Sequence, residues 1–556
     1  MLAMLAAAGM LIFPKPAQAI CAFQQGLNSM TTLASGNNLY VLWESSSGFE
    51  SGSNVGNYTL FFKTSNDGGK TFEKTIRIHS ATLLPCTFSS QMAIGGNGQG
   101  GNNIYVMWQD GKVYFKASTD GGSSFGDTIS LGEGTLGSLM GPSFVPWGGQ
   151  TIAGVNNDVY MAWVVSNQIT HHGDMRFISS DNGGKSFSNV KNFSNPIEDH
   201  QEPQLALSGQ NVYLAWTEYA CDGCGDAVQP PWCGNAGITP TYTCQTKIML
   251  AKSSDGGKNF GSTLSLVEGN SVFANGDTNV TASDGHPSCA HYFYCGLPHQ
   301  PRIKAAGSNV YVSWFYGPHE LYFTRSSDNG GTFRTPARLS EQVSENESSS
   351  VYYSSPFIST IDNVSNEAYA GWVVNSDYAG SSLYLVRSAD GGNQFENVTS
   401  AIPQGFGDFP ASISKRLVIT KNDALYFAWS SGSDSNRILF EAVRANQTTA
   451  SNPFVIYSFS NARMPIYLWQ PAVAATDSGK VYVIWQNAID QYVKGLIQPE
   501  LLIRSSTDGG QTFGSTKQFQ EVVMVPEFST SITFIIATIS AASVVIASRH
   551  YLLKKK

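Results

Sequence analysis

Charge is scarce in this chain. Of 556 residues only 13% are Asp, Glu, Lys or Arg, the net charge is −8, and no Arg precedes Arg77. That balance excludes a basic surface able to hold a polyanion, so nucleic acid is not an expected partner. Helical patterning is also weak. Near the C-terminus an apolar run, Ile532 to Ser548, carries no charge. The apolar segment 1–19 lacks a basic start, yet it ends Ala17-Gln18-Ala19. This predicts a secretory signal cleaved near Ala19. Gly is plentiful, with 55 residues, and aromatics make up 12%. Together these describe a turn-rich all-β chain with a large core.

The tail predicts an outward-facing protein. After a linker at 521–531, the segment 532–548 reads as a membrane helix and 549–556 as a basic cytoplasmic end. Eight cysteines are an even number and fit disulfides in an oxidising exterior. Their pairing is open, and Cys221-x-x-Cys224 reads as either a disulfide or a zinc pair. Asn-x-Ser/Thr acceptors at Asn57, Asn192, Asn279, Asn346, Asn363, Asn397 and Asn446 fit the same location.

A short phrase organises the rest. Its first copy is Ser65-Asn66-Asp67-Gly68-Gly69-Lys70-Thr71-Phe72. Further copies start at Ser118, Ser253, Ser326, Ser388 and Ser506, and a looser one runs from Ser179 to Phe187 with Asp181 as its acid. The pattern S-x-D-x-G-x-x-F describes a tight turn. The Asp accepts backbone N–H bonds, Gly supplies positive φ, and Phe folds back onto the sheet. Asp67, Asp120, Asp181, Asp255, Asp328, Asp390 and Asp508 are therefore read as structural. A second repeat, an apolar strand ending in Trp, precedes each phrase and occurs eight times, at Trp43, Trp108, Trp163, Trp216, Trp314, Trp372, Trp429 and Trp485. The unit holding Trp429 has no phrase. Each unit reads strand, turn, strand, loop, strand, phrase, strand, which is the size of a propeller blade.

The phrase resembles the Asp-box, or BNR repeat, of sialidase-like β-propellers, over roughly residues 20–520. The resemblance implies a single propeller of four-stranded antiparallel blades. Eight units predict eight blades, with seven blades or two domains as alternatives. Complete first and last units place Ser29 to Ala34 and Ser515 to Gln520 in different blades. The tail, with Val525-Pro526-Glu527-Phe528 ahead of its apolar run, resembles archaeal PEF-type sorting signals. That resemblance implies a sorting enzyme and a lipid anchor, against a plain single-pass helix.

Function is expected on the face away from the phrases. Two insertions, near 217–246 and 265–300, fall on that face, with all eight cysteines and most histidines. Residues entering the inner strands crowd the axis: His200, Gln201 and Glu202; His299, Gln300 and Arg302; Trp469 and Gln470. Glu44, Asp110, Glu218 and Tyr316 follow the Trp strands onto the same rim. Carboxylates, Arg, His and aromatics together suit a sugar or a cation. The plainer reading is that Gln-Pro shapes strand entry and the charges are solvated.

Three functions follow. The first is an anchored propeller that binds a glycan or a cell-surface protein. The second is a sialidase-like exo-glycosidase, with Glu202, Glu218 and Arg302 as catalytic candidates. The resemblance implies an Arg-bearing motif before the first Asp-box for that chemistry, and this chain has none there. The third is metal binding through His171, His172 and Asp174. No other cofactor is expected.

Overall fold

A computed structural model describes residues 26–524, apart from 48–55, 84–87, 97–102, 135–148, 167–172, 194–198, 223–240, 275–296, 318–319, 341–350, 361–366, 377–379, 397–398, 403–417, 421–423, 431–436, 445–452, 459–470, 477, 487–495, 499 and 521–522. The predicted signal and sorting helix lie outside these residues. No described helix is long and apolar enough to cross a membrane.

The described chain is all strand and turn, and its four-stranded sheets are antiparallel and follow chain order. There are eight of them, here numbered one to eight, and one separate two-stranded ribbon. Sheet one holds Gly26–Ser35, Asn38–Ser47, Gly56–Ser65 and Ile76–Leu83. Sheet eight holds Ala472–Ala475, Val481–Gln486, Leu501–Ser506 and Lys517–Gln520. The two termini of the repeat thus contribute to different sheets, as expected from complete end units. Val523–Met524, within the expected linker, pairs instead with Leu496–Gln498.

The sheets bury their faces against one another. Every Trp of the second-strand repeat is buried, and the strand positions ahead of it are mostly apolar and buried on both faces. Residues such as Leu39-Tyr40-Val41-Leu42-Trp43 therefore read as a continuous apolar run rather than an alternating one. Each pair of neighbouring sheets shares one apolar cluster. Tyr40, Leu42, Leu60 and Phe62 of sheet one meet Ile104, Val106 and Trp108 of sheet two. Leu39, Val41, Trp43 and Phe61 of sheet one also meet Tyr482, Ile484, Leu501 and Ile503 of sheet eight. The series closes on itself there. Thr32 Oγ1 donates to the Val473 carbonyl at 3.1 Å, and Thr75 Oγ1 to Gln520 Oε1 at 2.7 Å. Truncating one of the buried Trp side chains would cost about 3–5 kcal/mol.

The Asp-phrases have a second role beyond their own turn. Ser65 Oγ donates to Asp67 Oδ1 at 2.9 Å, and the N–H groups of Lys70 and Thr71 donate to that same oxygen, each at 2.9 Å. The phrase glycine and Phe then reach the preceding sheet. Phe125 packs edge-on to Phe62, with centroids 5.0 Å apart, and Phe187, Phe260, Phe395 and Phe513 do the same to Phe115, Phe177, Phe323 and Phe440. The phrase is a clip between sheets as well as a hairpin turn.

One reading needs correcting. In the looser copy the acceptor is Asn182, not Asp181. Ser180 Oγ bonds Asn182 Oδ1 at 2.9 Å, and Ser186 N donates to that oxygen at 3.0 Å. Counted from Ser180, the copy has the ordinary eight-residue length. The carboxamide oxygen accepts the same N–H bonds as a carboxylate, so the turn survives without the charge.

Candidate functional site on the innermost strands

In sheets one, three, four and eight the first box glycine ties its turn to the turn between the first two strands of the same sheet, and Asn329 does so in sheet five. Gly68 N donates to the Asn37 carbonyl at 2.8 Å, and Gly256 N to the Gln210 carbonyl at 2.9 Å. Both turns share one face. The entries to the inner strands and the connections between second and third strands open on the other.

The entries of sheets four and five carry the same distortion. Their inner strands, Asp199–Ser208 and Pro298–Ala306, slip register between Gln201 and Gln204 and between His299 and Arg302. Each bulge places a non-glycine residue before Pro at positive φ: Glu202 at 57° and Gln300 at 53°. Both the left-handed region and the following Pro oppose that conformation. Bulges re-aim side chains, and strain of this sort gathers at binding sites.

The result joins the two sheets through one carboxylate. Gln300 N donates to Glu202 Oε2 at 2.7 Å, and Thr217 Oγ1 donates to the same oxygen at 3.1 Å. Burial raises the Glu202 pKa, against the charge of Arg302 and the two hydrogen bonds. Burial lowers that of Arg302, opposed by Glu202. Arg302 Nη1 donates to the Pro301 carbonyl at 2.9 Å. Among the described residues no carboxylate lies within ion-pair distance of it. Glu202, Gln300 and Arg302 are mostly buried, each keeping a minor exposed part of its surface.

Two histidines sit behind it, fully enclosed. His299 Nε2 donates to the Gly317 carbonyl at 3.1 Å, and burial lowers its pKa to about 4. His200 Nδ1 donates to the Gly173 carbonyl at 2.9 Å, with Nε2 3.6 Å from Glu218 Oε2. Lys247 Nζ is 3.7 Å from Glu218 Oε1. These contacts tie His200 and Glu218 into the wall formed by sheets three and four, and both side chains, with that of Gln201, are buried.

The remaining candidates do not join this group. Glu44 is buried at the seam of sheets one and two, where Ser90 Oγ donates to it at 2.6 Å. Asp110, at the same seam, pairs with His79 Nε2 at 2.8 Å, and His79 lies 5.3 Å from Trp108 and 5.9 Å from Tyr114. Tyr316 is half-exposed and edge-on to Tyr322 at 5.8 Å. Trp469, Gln470, His171 and His172 lie outside the described residues. Asp174 is half-exposed in Gly173–Ser180. Among the described residues no group of three or more His, Cys, Asp or Glu is placed to hold a metal.

Thr217, His79 and Lys247 escaped the sequence reading. Thr217 directly follows Trp216, the position that singled out Glu44, so the repeat held the signal for it. Nothing local in the sequence marks His79, which lies on an outer strand.

No protein-family model matches the chain, and no curated protein matches significantly. Solved structures with similar coordinates include an ulvan lyase of polysaccharide lyase family PL25, bound to -[GlcA(1-4)Rha3S]-, at 11% identity and TM-score 0.41, covering 77% of this chain and 92% of that one. The NanB sialidase of Streptococcus pneumoniae is similar at 11% identity and TM-score 0.34, covering 84% and 95%. A leech intramolecular trans-sialidase is similar at 10% identity and TM-score 0.31, covering 91% and 95%. At these scores the likenesses carry no argument about activity.

Proposed function

We propose that the eight sheets are the blades of one eight-bladed β-propeller. We further propose that it stands on the outer face of a cell membrane and binds a glycan or a surface-protein ligand at its axial opening. The observation that carries the binding reading is the Glu202, Gln300 and Arg302 group. A strained, mostly buried carboxylate, held by Thr217 and the Gln300 N–H, sits beside a guanidinium that no described carboxylate pairs. Carboxylate and guanidinium together offer acceptors and donors to the hydroxyls of a sugar or to a polar protein loop. The ordered walls behind them are already formed, which suits binding without rearrangement. Anchoring would come from the C-terminal apolar segment, either as a retained helix or as a sorting signal exchanged for lipid by a membrane enzyme. An array of glycans and candidate surface proteins, probed with the purified ectodomain, tests the reading. Hits weakened by Glu202→Gln support it. Hits unchanged by that substitution place the site elsewhere.

Glycoside hydrolysis is the second reading, and the raised pKa of Glu202 favours it. A carboxyl that holds its proton nearer neutrality is suited to protonate a leaving oxygen. Release of fluorophore from a broad glycoside panel, abolished by Glu202→Gln, would support hydrolysis, and silence across the panel would remove it. Metal binding through Asp174 with His171 and His172 is the weakest of the three. Metal analysis after dialysis tests it.

A further inference from the structure

Sheet four is longer than its neighbours on the side away from the Asp-phrases. Its strands run Asn211–Asp222, Thr241–Ser253 and Leu264–Ala274. Both insertions anticipated from the sequence feed this extension, and their outer parts lie outside the described residues. At the end of the long hairpin the strand register sets Cys221 directly opposite Cys244. The next pair, Asp222 with Thr243, is the last before the connecting segment.

We propose that Cys221 and Cys244 form a disulfide that closes the base of the 223–240 segment. Directly opposed residues of an antiparallel pair share one face of the sheet, with Cα atoms about 4.5–5.5 Å apart. A disulfide needs about 4.4–6.8 Å between Cα atoms, a range that a directly opposed pair meets. The register, unlike the sequence, chooses between partners. Cys221-x-x-Cys224 is the pairing that spacing alone puts forward, but the ladder already commits Cys221 to a position opposite Cys244. Formation is a thiol–disulfide exchange with a disulfide oxidant such as oxidised glutathione. One Cys thiolate attacks the oxidant and expels one glutathione thiolate. The second Cys thiolate then attacks the mixed disulfide and expels the other. Two protein thiols are oxidised, one glutathione disulfide is reduced to two thiols, and two protons leave the cysteines.

Peptide mapping tests this without a variant. The full chain is equilibrated with a reduced and oxidised glutathione couple, trapped with an alkylating agent and cleaved without reduction. Cleavage before Asp199, Asp222, Asp226 and Asp255 and after Tyr242 puts Cys221, Cys224, Cys233 and Cys244 in four separate peptides. The expected product joins the peptide ending at Cys221 to the one starting at Thr243. A Cys221–Cys224 or Cys221–Cys233 product, or alkylated Cys221 and Cys244, overturns the proposal. As a second readout, Cys221→Ala should leave one extra titratable thiol, at Cys244, and Cys224→Ala should leave the Cys221–Cys244 product intact.

Discussion

Gly184 of sheet three lies so close to Phe115 of sheet two that a Cβ on it would fall 2.3 Å from the ring. Its φ of +80° already disfavours any side chain. The same approach recurs at Gly122 against Phe62 and at Gly510 against Phe440. The glycines of the repeat therefore set the spacing between sheets as well as the shape of a turn.

Gly184→Ala should destabilise the protein by roughly 2–5 kcal/mol, from left-handed strain and overpacking together. Gly209 is the control, with φ +59° and nothing within 4 Å of its Cβ position. Gly209→Ala should cost only about 1–2 kcal/mol. Chemical denaturation of both variants measures the difference. Equal losses would mean that the ring contact contributes nothing.

Acid should weaken the Asp-phrases one proton at a time. The Asn259 backbone N–H, with the Ser253 hydroxyl, holds the Asp255 carboxyl down to about 2. Hydrogen bonds hold Asp67, Asp328 and Asp508 lower still. A pKa lowered by folding gives stability that is complete above the unfolded value near 3.9 and drains as pH falls through the folded value. Asp255→Asn should flatten the part of the stability curve between pH about 4 and about 2. Asn182 shows that the carboxamide is compatible with the turn. An unchanged acid limb would show that this carboxylate is not coupled to folding.

His299 predicts a separate loss at milder pH. Burial lowers its pKa to about 4, and the unfolded value is 6.5. The folded state keeps the ring neutral while the unfolded chain takes up the proton. Stability is then full above about 6.5 and declines as pH falls toward 4. His299→Gln should remove this decline while leaving the steeper acid loss below pH about 4. An NMR titration placing His299 near 6.5 would contradict the enclosure described for it.

The seam between sheets six and seven should open first. Sheet six presents Leu385, as sheets four and eight present Leu250 and Ile503, at the position where other sheets present Phe62, Phe115, Phe177, Phe323 and Phe440. Sheet seven is the unit whose sequence carries no phrase, and so no phrase Phe, to place against it. The seam rests on Leu383, Leu385, Leu425, Phe427, Trp429 and Leu439. Hydrogen exchange in peptides covering 383–385 and 425–429 should outpace that in 60–62 and 104–108. Uniform protection would show that the clips add little.

Much of this fold was legible because its signals are local and repeated. The Trp strand and the Asp-phrase each span a few residues, and their alternation marks strand order in every unit. The slip from Asp181 to Asn182 was hidden because two acceptors stand side by side after two serines, and only the hydrogen bonds choose between them. The candidate site was half legible. Repeat position alone singled out Glu202, Gln300 and Arg302, but the bond from Gln300 to Glu202 joins residues far apart in the chain. Glu44 and Asp110 match the same rule yet lie at another seam, because a repeat marks position within a sheet and says nothing about which sheets meet.

The most direct test of the account is a binding titration at the axial group. A ligand identified on the array is titrated into the wild type, Glu202→Gln and Arg302→Gln, with thermal unfolding of each variant as the folding control. Loss of a charged hydrogen-bonding partner should weaken binding about 10- to 100-fold, from roughly 1.5–3 kcal/mol per contact. His79→Gln, at the seam of sheets one and two, should leave the affinity unchanged. Wild-type affinity in both axial variants, with their unfolding cooperative and intact, would contradict a site built on Glu202 and Arg302.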